Sequence, residues 1–566
     1  MTTPRSTGVA EARLGLVAKT IVFLWILLGI RLFLVSVIDH DRFAQAATKQ
    51  QIANKEILAE RGEITTGEEE RLATNVTTYA VLVVPKNIAK KEEFARTLAP
   101  ELSMGVADLV RLIDNNKPYI PPIARGLSEE TAEKVAKLNL VGLLVLPESV
   151  RFYPEGSLAA HLIGFVNAEG RGQYGLEGYY DEVLRGFTGV ESFEHDPAGR
   201  AIGLIDPIAP ARDGTSLIVT LDRTLQFIVE ESLTNAMNRF SADGGSIVVL
   251  NVQNGEVLAM ANRPTFDPNS YKEVGESQSL FLNPAAQATW EPGSVLKPVA
   301  MAAALNDGLL EPDTTETFGS SINVDGWTIN TAQNKAFGRE TMTQVLENSD
   351  NVAMVWVTNK LGNEQLYKYL QEFGFDDKTG VDLQGEADPH LLPLKEWRNI
   401  NRATISFGQG IALTPLQLTA AYAALGNGGK LFWPHIVKAF VTADGERREV
   451  SPREVRQVLS EETSQKITAM LVSVVERGHG KRARVAGHKI AGKTGTAQVP
   501  SPSGGYEEGK HVGSFCGYAP ADQPLFAMCV KLDTPKNVDW AEASAAPVFG
   551  EIAGWILANY HIEPTE

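Results

Sequence analysis

The chain has 566 residues, a formal net charge of −17 from 52 basic and 69 acidic side chains, 43% hydrophobic residues and two cysteines. That composition excludes a disordered chain, a collagen-like repeat and a disulfide scaffold, and the length predicts roughly two to four domains. The acidic total argues against a nucleic-acid partner, because no global positive field is available to neutralise phosphates, although one local basic group still suffices to hold an anionic substrate.

The first informative segment is Thr20 to Ile38 (TIVFLWILLGIRLFLVSVI), whose one charge is Arg31. At about 1.5 Å per residue it is just long enough to span a bilayer core. Ala44-Gln45-Ala46 has the small residues of a signal-peptide cleavage site. The apolar run, however, exceeds the roughly 7–15 residues of a signal core, and Asp39-His40-Asp41-Arg42 separates run from site. An uncleaved anchor is therefore expected. Arg5, Arg13 and Lys19 ahead of it predict an N-terminus on the cytoplasmic side and an external body after about residue 40. No apolar run of comparable length follows, so the expectation is a single-pass protein of the cytoplasmic membrane.

From residue 41 to 212 the pattern is mixed. Gln45 to Glu60 is drawn as a helix leaving the membrane, and Tyr79 to Pro85 as a strand ended by proline. Glu93 to Ile113, interrupted near Pro100, and Ser128 to Leu138 carry apolar residues at helical spacing. Between Arg151 and Gly189 glycine becomes frequent, which implies turns and close backbone contacts. With no nucleophile and base paired in this stretch, it reads as a spacer or docking module.

After Asp213-Gly214 the texture changes. Ser216 to Leu221 is strand-like, Arg223 to Arg239 helical, and Ser246 to Asn251 runs through Asn254-Gly255 into Glu256 to Ala261, a hairpin signal. Two further strands, Val512 to Tyr518 and Leu525 to Leu532, and a helix from about Ala546 to Tyr560 are expected to close the same antiparallel sheet. Cys516 and Cys529 flank the turn between those strands; we read them as small buried apolar side chains, with a bridge across the hairpin as the alternative.

Three short motifs fall in this region: Ser294-Val295-Leu296-Lys297, Ser349-Asp350-Asn351 and Lys493-Thr494-Gly495. Each alone is weak, and the chain holds a second S-x-N at Ser321-Ile322-Asn323 and a second K-T-G at Lys378-Thr379-Gly380. Context separates the copies. Pro298 is tolerable only in a first helical turn, which places a helix start close to Ser294 and sets Ser294 and Lys297 on one face. A serine hydroxyl needs an adjacent base, and a partly desolvated lysine one turn away can supply it. Taken alone, Ser294 would be a helix cap, Lys297 a solvated helix face and Lys493 a solubilising charge on a strand. Ser349 to Asn351 reads as a turn linking two helices, aimed into a cleft, whereas Ser321 to Asn323 reads as a loop and Lys378 to Gly380 as a connector. Lys493 continues a strand-like run; an edge strand there offers its backbone to an extended peptide, with Gly495 giving clearance.

This trio occurs in penicillin-binding proteins and class A β-lactamases. The chain resembles a class B penicillin-binding protein, the monofunctional peptidoglycan D,D-transpeptidase of the septal type. The resemblance also rests on Arg61-Gly62-Glu63-Ile64, Arg151-Phe152-Tyr153-Pro154-Glu155-Gly156, Gly175-Leu176-Glu177, Glu291-Pro292-Gly293, Phe407-Gly408-Gln409-Gly410, Thr414-Pro415-Leu416-Gln417-Leu418 and Thr496-Ala497-Gln498. It implies an α+β fold with a cytoplasmic tail (1–19), a transmembrane helix (20–38), an elongated pedestal or dimerisation-like domain (39–212) and a serine transpeptidase domain (213–566) whose antiparallel sheet is flanked by helices.

By the same resemblance, Ser294 is the nucleophile, Lys297 the base and Ser349 a proton relay. Asn351, Lys493, Thr494, Gly495 and Thr496 bind the D-Ala-D-Ala stem peptide or a β-lactam, and the backbone N–H groups of Ser294 and Thr496 form the oxyanion hole. No cofactor or metal is implied, and the nine histidines lack ligand spacing. Ile64 is followed by Thr65-Thr66-Gly67 where the family has an Asp-Arg pair, and Asn283-Pro284-Ala285 stands for its Asn-Arg-Ala, so pedestal and partner contacts are expected to differ. With no glycosyltransferase-like segment before the pedestal, a membrane-embedded glycan polymerase and division proteins are expected partners. A β-lactamase would need an E-x-x-L-N water activator, which Glu396-Trp397-Arg398-Asn399 matches poorly. The elongation-type paralogue, and behind it a β-lactam sensor or inactive scaffold, are the alternatives.

Overall fold

The computed structural model describes residues 7–44, 52–114, 117, 120–195, 201–275, 277–501 and 504–564. It divides into two units, Met1–Ala59 with Gly186–Asp213, and Glu60–Arg185 with Gly214–Glu566.

In the first unit a helix, Thr7–Phe33, continues as a wider-pitch turn, Leu34–Ile38. Among the described residues Glu11–Ile38 is the one helical stretch long and apolar enough to cross a membrane, and its side chains are exposed along its length. It contains the anchor expected at 20–38 and is compatible with a single pass. The same unit holds a three-stranded antiparallel sheet with Gly189–His195 between Ile52–Ile57 and Ala201–Ala209. The helix expected over Gln45 to Glu60 is therefore corrected: its first part lies outside the described residues, and Ile52–Ile57 is a strand paired with a distant segment, a tertiary pairing that overrides weak local helix preference.

Among the described residues, the two largest sheets of the second unit carry its architecture. In the first, Ile64–Thr66 pairs antiparallel with the long strand Arg71–Val83 and parallel with Ser216–Val219, which in turn pairs with Val437–Val441. The expected strand at Tyr79 to Pro85 is the end of Arg71–Val83, and helices Lys91–Leu98, Val106–Ile113 and Glu129–Lys137 cover this part, the last capped by Ser128 accepting from Thr131 N–H. The stretches Arg61-Gly62-Glu63, Arg151-Phe152-Tyr153 and Gly175-Leu176-Glu177 converge here on one carboxylate. Glu177, fully buried, takes Arg61 and Arg151 at 2.6 and 2.7 Å. Removing one member of such a buried cluster leaves a charge unpaired, which costs about 3–5 kcal/mol.

The second sheet is an open set of five antiparallel strands, β1 (Gly244–Asn251), β2 (Val257–Arg263), β3 (Ala491–Pro500), β4 (Tyr506–Ala519) and β5 (Phe526–Asp533), in the order β2-β1-β5-β4-β3, and the expected hairpin and the two late strands lie in it. Alternate residues of β1 feed two cores. Ile247 and Val249 pack with the helices Arg223–Phe240 and Ala545–Asn559, and Val248 and Leu250 with the helices Lys297–Asn306 and Pro415–Gly426. Because both faces are covered, the strand is continuously apolar from Ile247 to Leu250 instead of alternating with polar residues. Ser216–Val219, expected to begin this sheet, belongs to the other one. The register sets Cys516 opposite Cys529, and the two form a disulfide, so the reading of two separate buried thiols is corrected. Facing positions on adjacent antiparallel strands follow from pairing register, which the intervening turn does not specify by composition alone.

Candidate active site

Ser294 stands in a 3₁₀ turn, Gly293–Leu296, that runs directly into the helix Lys297–Asn306, with Pro298 in its first turn. That helix is buried on all sides, which its alanine-rich sequence (KPVAMAAALN) permits, and Lys297 itself is 0% exposed. The turn is held from several directions. Tyr422, fully buried on the helix Pro415–Gly426, donates its hydroxyl to Val295 O at 2.8 Å. Gly293 N–H donates to Gly408 O at 3.0 Å, and Glu291 accepts from Gly410 N–H at 2.8 Å. A Cβ on Gly408, whose φ is +81°, would sit 2.0 Å from Gly293 O, so only glycine fits. The Phe407-Gly408-Gln409-Gly410 and Thr414-Pro415-Leu416-Gln417-Leu418 stretches thus support the nucleophile turn.

Ser349 links the helices Met342–Glu347 and Asn351–Glu372, as the sequence predicts, and takes the left-handed conformation at φ +57°. Asp350 caps the second helix, accepting from Ala353 N–H at 2.9 Å. Lys493 lies on β3 at the sheet edge and is also 0% exposed. A Cβ on Gly495 would meet Ser514 Oγ at 2.7 Å and Pro292 O and Val295 Cγ1, each at 2.9 Å, so the glycine also admits the nucleophile turn against β3. Of the second copies, Ser321-Ile322-Asn323 forms one strand of a hairpin with Trp327–Asn330, a correction to the expected loop made by the Asp325-Gly326 turn between the two strands. Lys378-Thr379-Gly380 is a connector.

The three motifs meet. Lys297 Nζ contacts Ser349 O at 2.6 Å, Asn351 Oδ1 at 2.7 Å and Ser349 Oγ at 3.1 Å. Lys493 Nζ donates to Ser349 Oγ at 3.1 Å and to Thr494 O at 3.0 Å. One hydroxyl thus sits between two buried amines. Burial and the neighbouring Lys493 hold Lys297 well below the usual lysine range, against the pull of Asp350 and Glu340. Burial pushes Lys493 down to about 7, with Glu542 opposing. A neutral Lys297 has two N–H groups, which the two carbonyl oxygens take at the shorter distances, leaving its lone pair for a hydroxyl proton.

Ser294, Ser349, Asn351, Thr494 and Thr496 line one cleft of about 1010 Å³. Asn351 is already engaged at both ends, since its Nδ2 donates to Asn330 O at 3.1 Å. Thr496 Oγ1 accepts from Ala541 N–H at 3.1 Å. The sequence reasoning missed part of the rim: Lys335, Phe337 and the segment Thr534 to Glu542, including Trp540 and the His479–Glu542 pair at 3.0 Å. An isolated tryptophan between acidic residues (VDWAE) is the one sequence signal that marked that segment.

Residues 245–554 match the sequence model of the penicillin-binding protein transpeptidase domain, and residues 56–218 that of the penicillin-binding protein dimerisation domain. Stage V sporulation protein D of Bacillus subtilis is 35% identical over 550 residues, covering 96% of this chain and 85% of that protein. Peptidoglycan D,D-transpeptidase FtsI of Escherichia coli is 32% identical over 550 residues, covering 95% and 90%. The crystal structure of penicillin-binding protein 3 of Mycobacterium tuberculosis complexed with aztreonam superposes with a TM-score of 0.72 at 31% identity, over 90% of this chain and 98% of that one. With the apolar helix, the dimerisation domain and the Ser294–Lys297–Ser349–Lys493 cluster in that order along one chain, the protein belongs to the penicillin-binding protein transpeptidase family, in its class B form.

Proposed function

We infer that the chain is a serine D,D-transpeptidase that cross-links peptidoglycan stem peptides in septal wall synthesis and is acylated by β-lactams. The observation that carries this reading is Ser349 Oγ held at 3.1 Å from each of two fully buried amines, Lys297 and Lys493. Ser294 Oγ attacks the carbonyl of the penultimate D-Ala as its proton passes to neutral Lys297. The oxyanion that forms is met by the backbone N–H groups of Ser294 and Thr496. As the C–N bond breaks, the proton returns from Lys297 through Ser349 to the departing amine, terminal D-Ala leaves, and an acyl-Ser294 ester remains. An amino group of a second stem peptide attacks that ester, giving up its proton along the same relay and freeing Ser294. In a β-lactam the broken amide is part of a ring, so the leaving amine stays tethered.

Lys493, Thr494, Gly495 and Thr496 receive the substrate carboxylate. The second N–H of Asn351 Nδ2 reaches the substrate amide. The anchor at 20–38 holds the protein with Arg5, Arg13 and Lys19 on the cytoplasmic side, the pedestal (39–212) and transpeptidase domain (213–566) outside, and a separate membrane glycan polymerase and division proteins as partners. A fluorescent penicillin incubated with the full-length protein tests the core of this reading. Covalent label on the parent and none on Ser294→Ala is the expected result, and equal labelling of both removes Ser294 as nucleophile. Depletion that produces filaments supports the septal role, whereas rounded cells assign the protein to elongation.

A further inference from the structure

Behind the Ser349 turn lies a pair of acids that the chemistry above does not use. Glu340 is the penultimate residue of the strand Gly338–Thr341, which leads into the helix Met342–Glu347, and Asp350 follows that helix. Both are buried, at 2% and 0% exposure, and Asp350 is among the charged groups that face Glu340. Glu340 Oε1 accepts from Asn348 Nδ2 at 2.7 Å, and Asp350 Oδ1 accepts from Ala353 N–H at 2.9 Å. The two remaining oxygens, Glu340 Oε2 and Asp350 Oδ2, are buried with no hydrogen-bonding partner. Two carboxylates cannot share such a site while both are ionised, but one proton between them satisfies both orphaned oxygens.

We propose that Glu340 and Asp350 hold one proton between them, and that this bond is the positioning device of the Asn348–Asn351 turn, setting the Ser349 hydroxyl and the Asn351 amide on Lys297. The proposal rests on the transpeptidase reading of the cleft. Three features carry it. Ser349 is a non-glycine residue in the left-handed region, a conformation that persists only when its surroundings enforce it. Of the residues on either side of it, Asn348 donates to the Glu340 carboxyl and Asp350 faces it. The turn so fixed supplies all three of the Lys297 Nζ contacts.

The proton belongs to Glu340, because Asp350 caps a helix N-terminus, where a negative charge is favoured. Burial and the Asp350 charge push Glu340 up to about 7, with the Asn348 hydrogen bond opposing. The other charged groups facing the pair are Lys297 from the nucleophile helix, with Lys493 beyond it; Glu347, ion-paired at 3.0 Å with Arg477; and Glu316, the cross-strand partner of Glu340. When the shared proton is lost, a second negative charge appears next to the first. The turn loosens, and Lys297 is held in its protonated, non-basic form.

The test uses the full-length protein in detergent, with three variants and two readouts. Infrared difference spectra of protein labelled with ¹³C at glutamate carboxyls report the C=O stretch of a buried protonated acid. The band is expected in the parent near pH 6 and absent in Glu340→Gln. Acylation by a fluorescent penicillin is followed from about pH 5 to pH 9. Glu340→Gln keeps both hydrogen bonds without the titration, so its rate stays within about threefold of the parent near pH 6 and exceeds it by about tenfold one to two pH units above 7. Glu340→Leu, checked for folding by its thermal transition, loses about ten- to a hundredfold at every pH through misplacement of the turn. An unchanged band in Glu340→Gln, a pH profile identical to the parent's, or a folded Glu340→Leu that acylates like the parent overturns the proposal. Ser294→Ala separates the two readings: loss of label there, alongside parent-like Glu340 variants, leaves the transpeptidase standing and removes the positioning role.

Discussion

The Lys-Thr-Gly triplet occurs twice in this protein, and its two lysines are driven in opposite directions. Lys493, on the edge strand β3, is 0% exposed and pushed down to about 7 by burial. Lys378, in a connector, has a side chain 47% exposed, pairs with Asp388 at 2.8 Å, and is raised by that hydrogen bond and charge. The backbone around it is closed off locally, with Thr379 and Gly380 N–H donating to Glu386 at 2.6 and 3.0 Å. The two S-x-N copies differ in the same way. Ser349 and Asn351 point their oxygens at Lys297, whereas Asn323 accepts from Gly326 N–H at 3.2 Å and serves only its own hairpin turn. Triplets that match the same pattern therefore carry no chemistry of their own. What sets one of each apart is a dry position beside another buried amine, where a lysine is cheap to deprotonate.

Paired substitutions test this contrast most directly. The largest difference is expected between Ser349→Ala and Ser321→Ala: the first lowers the second-order rate of penicillin acylation by about 10³-fold, in the range of a lost proton-transfer group, and the second leaves it unchanged. Similar losses in both would mean that the hairpin copy also serves the cleft. Next in size, Lys493→Ala is expected to slow acylation by about 10²-fold, as for a lost electrostatic contact to the anionic end of the ligand, with Lys378→Ala at the parent rate. Equal rates for the two lysine variants would place the carboxylate elsewhere.

The smallest effect is on stability, and its sign is opposite. Because the folded value of Lys493 lies below the unfolded one, the unfolded chain binds more protons between about pH 7 and pH 10, so this group's contribution to stability rises with pH through that window. Below about pH 7 the folded protein bears the full cost of a buried ammonium. Lys493→Met is therefore expected to raise the unfolding midpoint at neutral pH, by about 2–4 °C for each kcal/mol relieved, and to flatten the rise toward pH 10. Thermal scans at the two pH values decide it. A midpoint lower than the parent's at neutral pH would mean that the amine is stabilised where it lies and is not poised to give up its proton.

Much was legible in the residues. The anchor follows from an apolar run with one charge, the β1–β2 hairpin from Asn254-Gly255, the helix start at Ser294 from Pro298, and the Ser349 turn from its place between two helical patterns. These are signals whose physical cause lies within a few residues. The misses have a common source in long-range pairing. Ile52–Ile57 became a strand through its register with Gly189–His195. Ser216–Val219 joined Ile64–Thr66 and not the β1–β5 sheet, and Cys516 met Cys529 because two strands align there. Gly495, read as room for a peptide, also makes room for Ser514, Pro292 and Val295, which arrive from elsewhere along the chain.

By itself the sequence determined the chemical inventory and its order: an anchor, a pedestal, a nucleophile with a lysine one turn away, a serine turn and a lysine strand. Sequence context also singled out which Ser-x-Asn and which Lys-Thr-Gly go with that inventory, but only the tertiary structure decided how they meet, with Ser349 Oγ between Lys297 and Lys493. It also supplied what no motif contains, the paired Glu340 and Asp350 carboxyls behind the turn. The reason is that protonation depends on how much water surrounds a group and which charges face it. Both are properties of packing between segments as distant as residues 297, 349 and 493, and not of any triplet read along the chain.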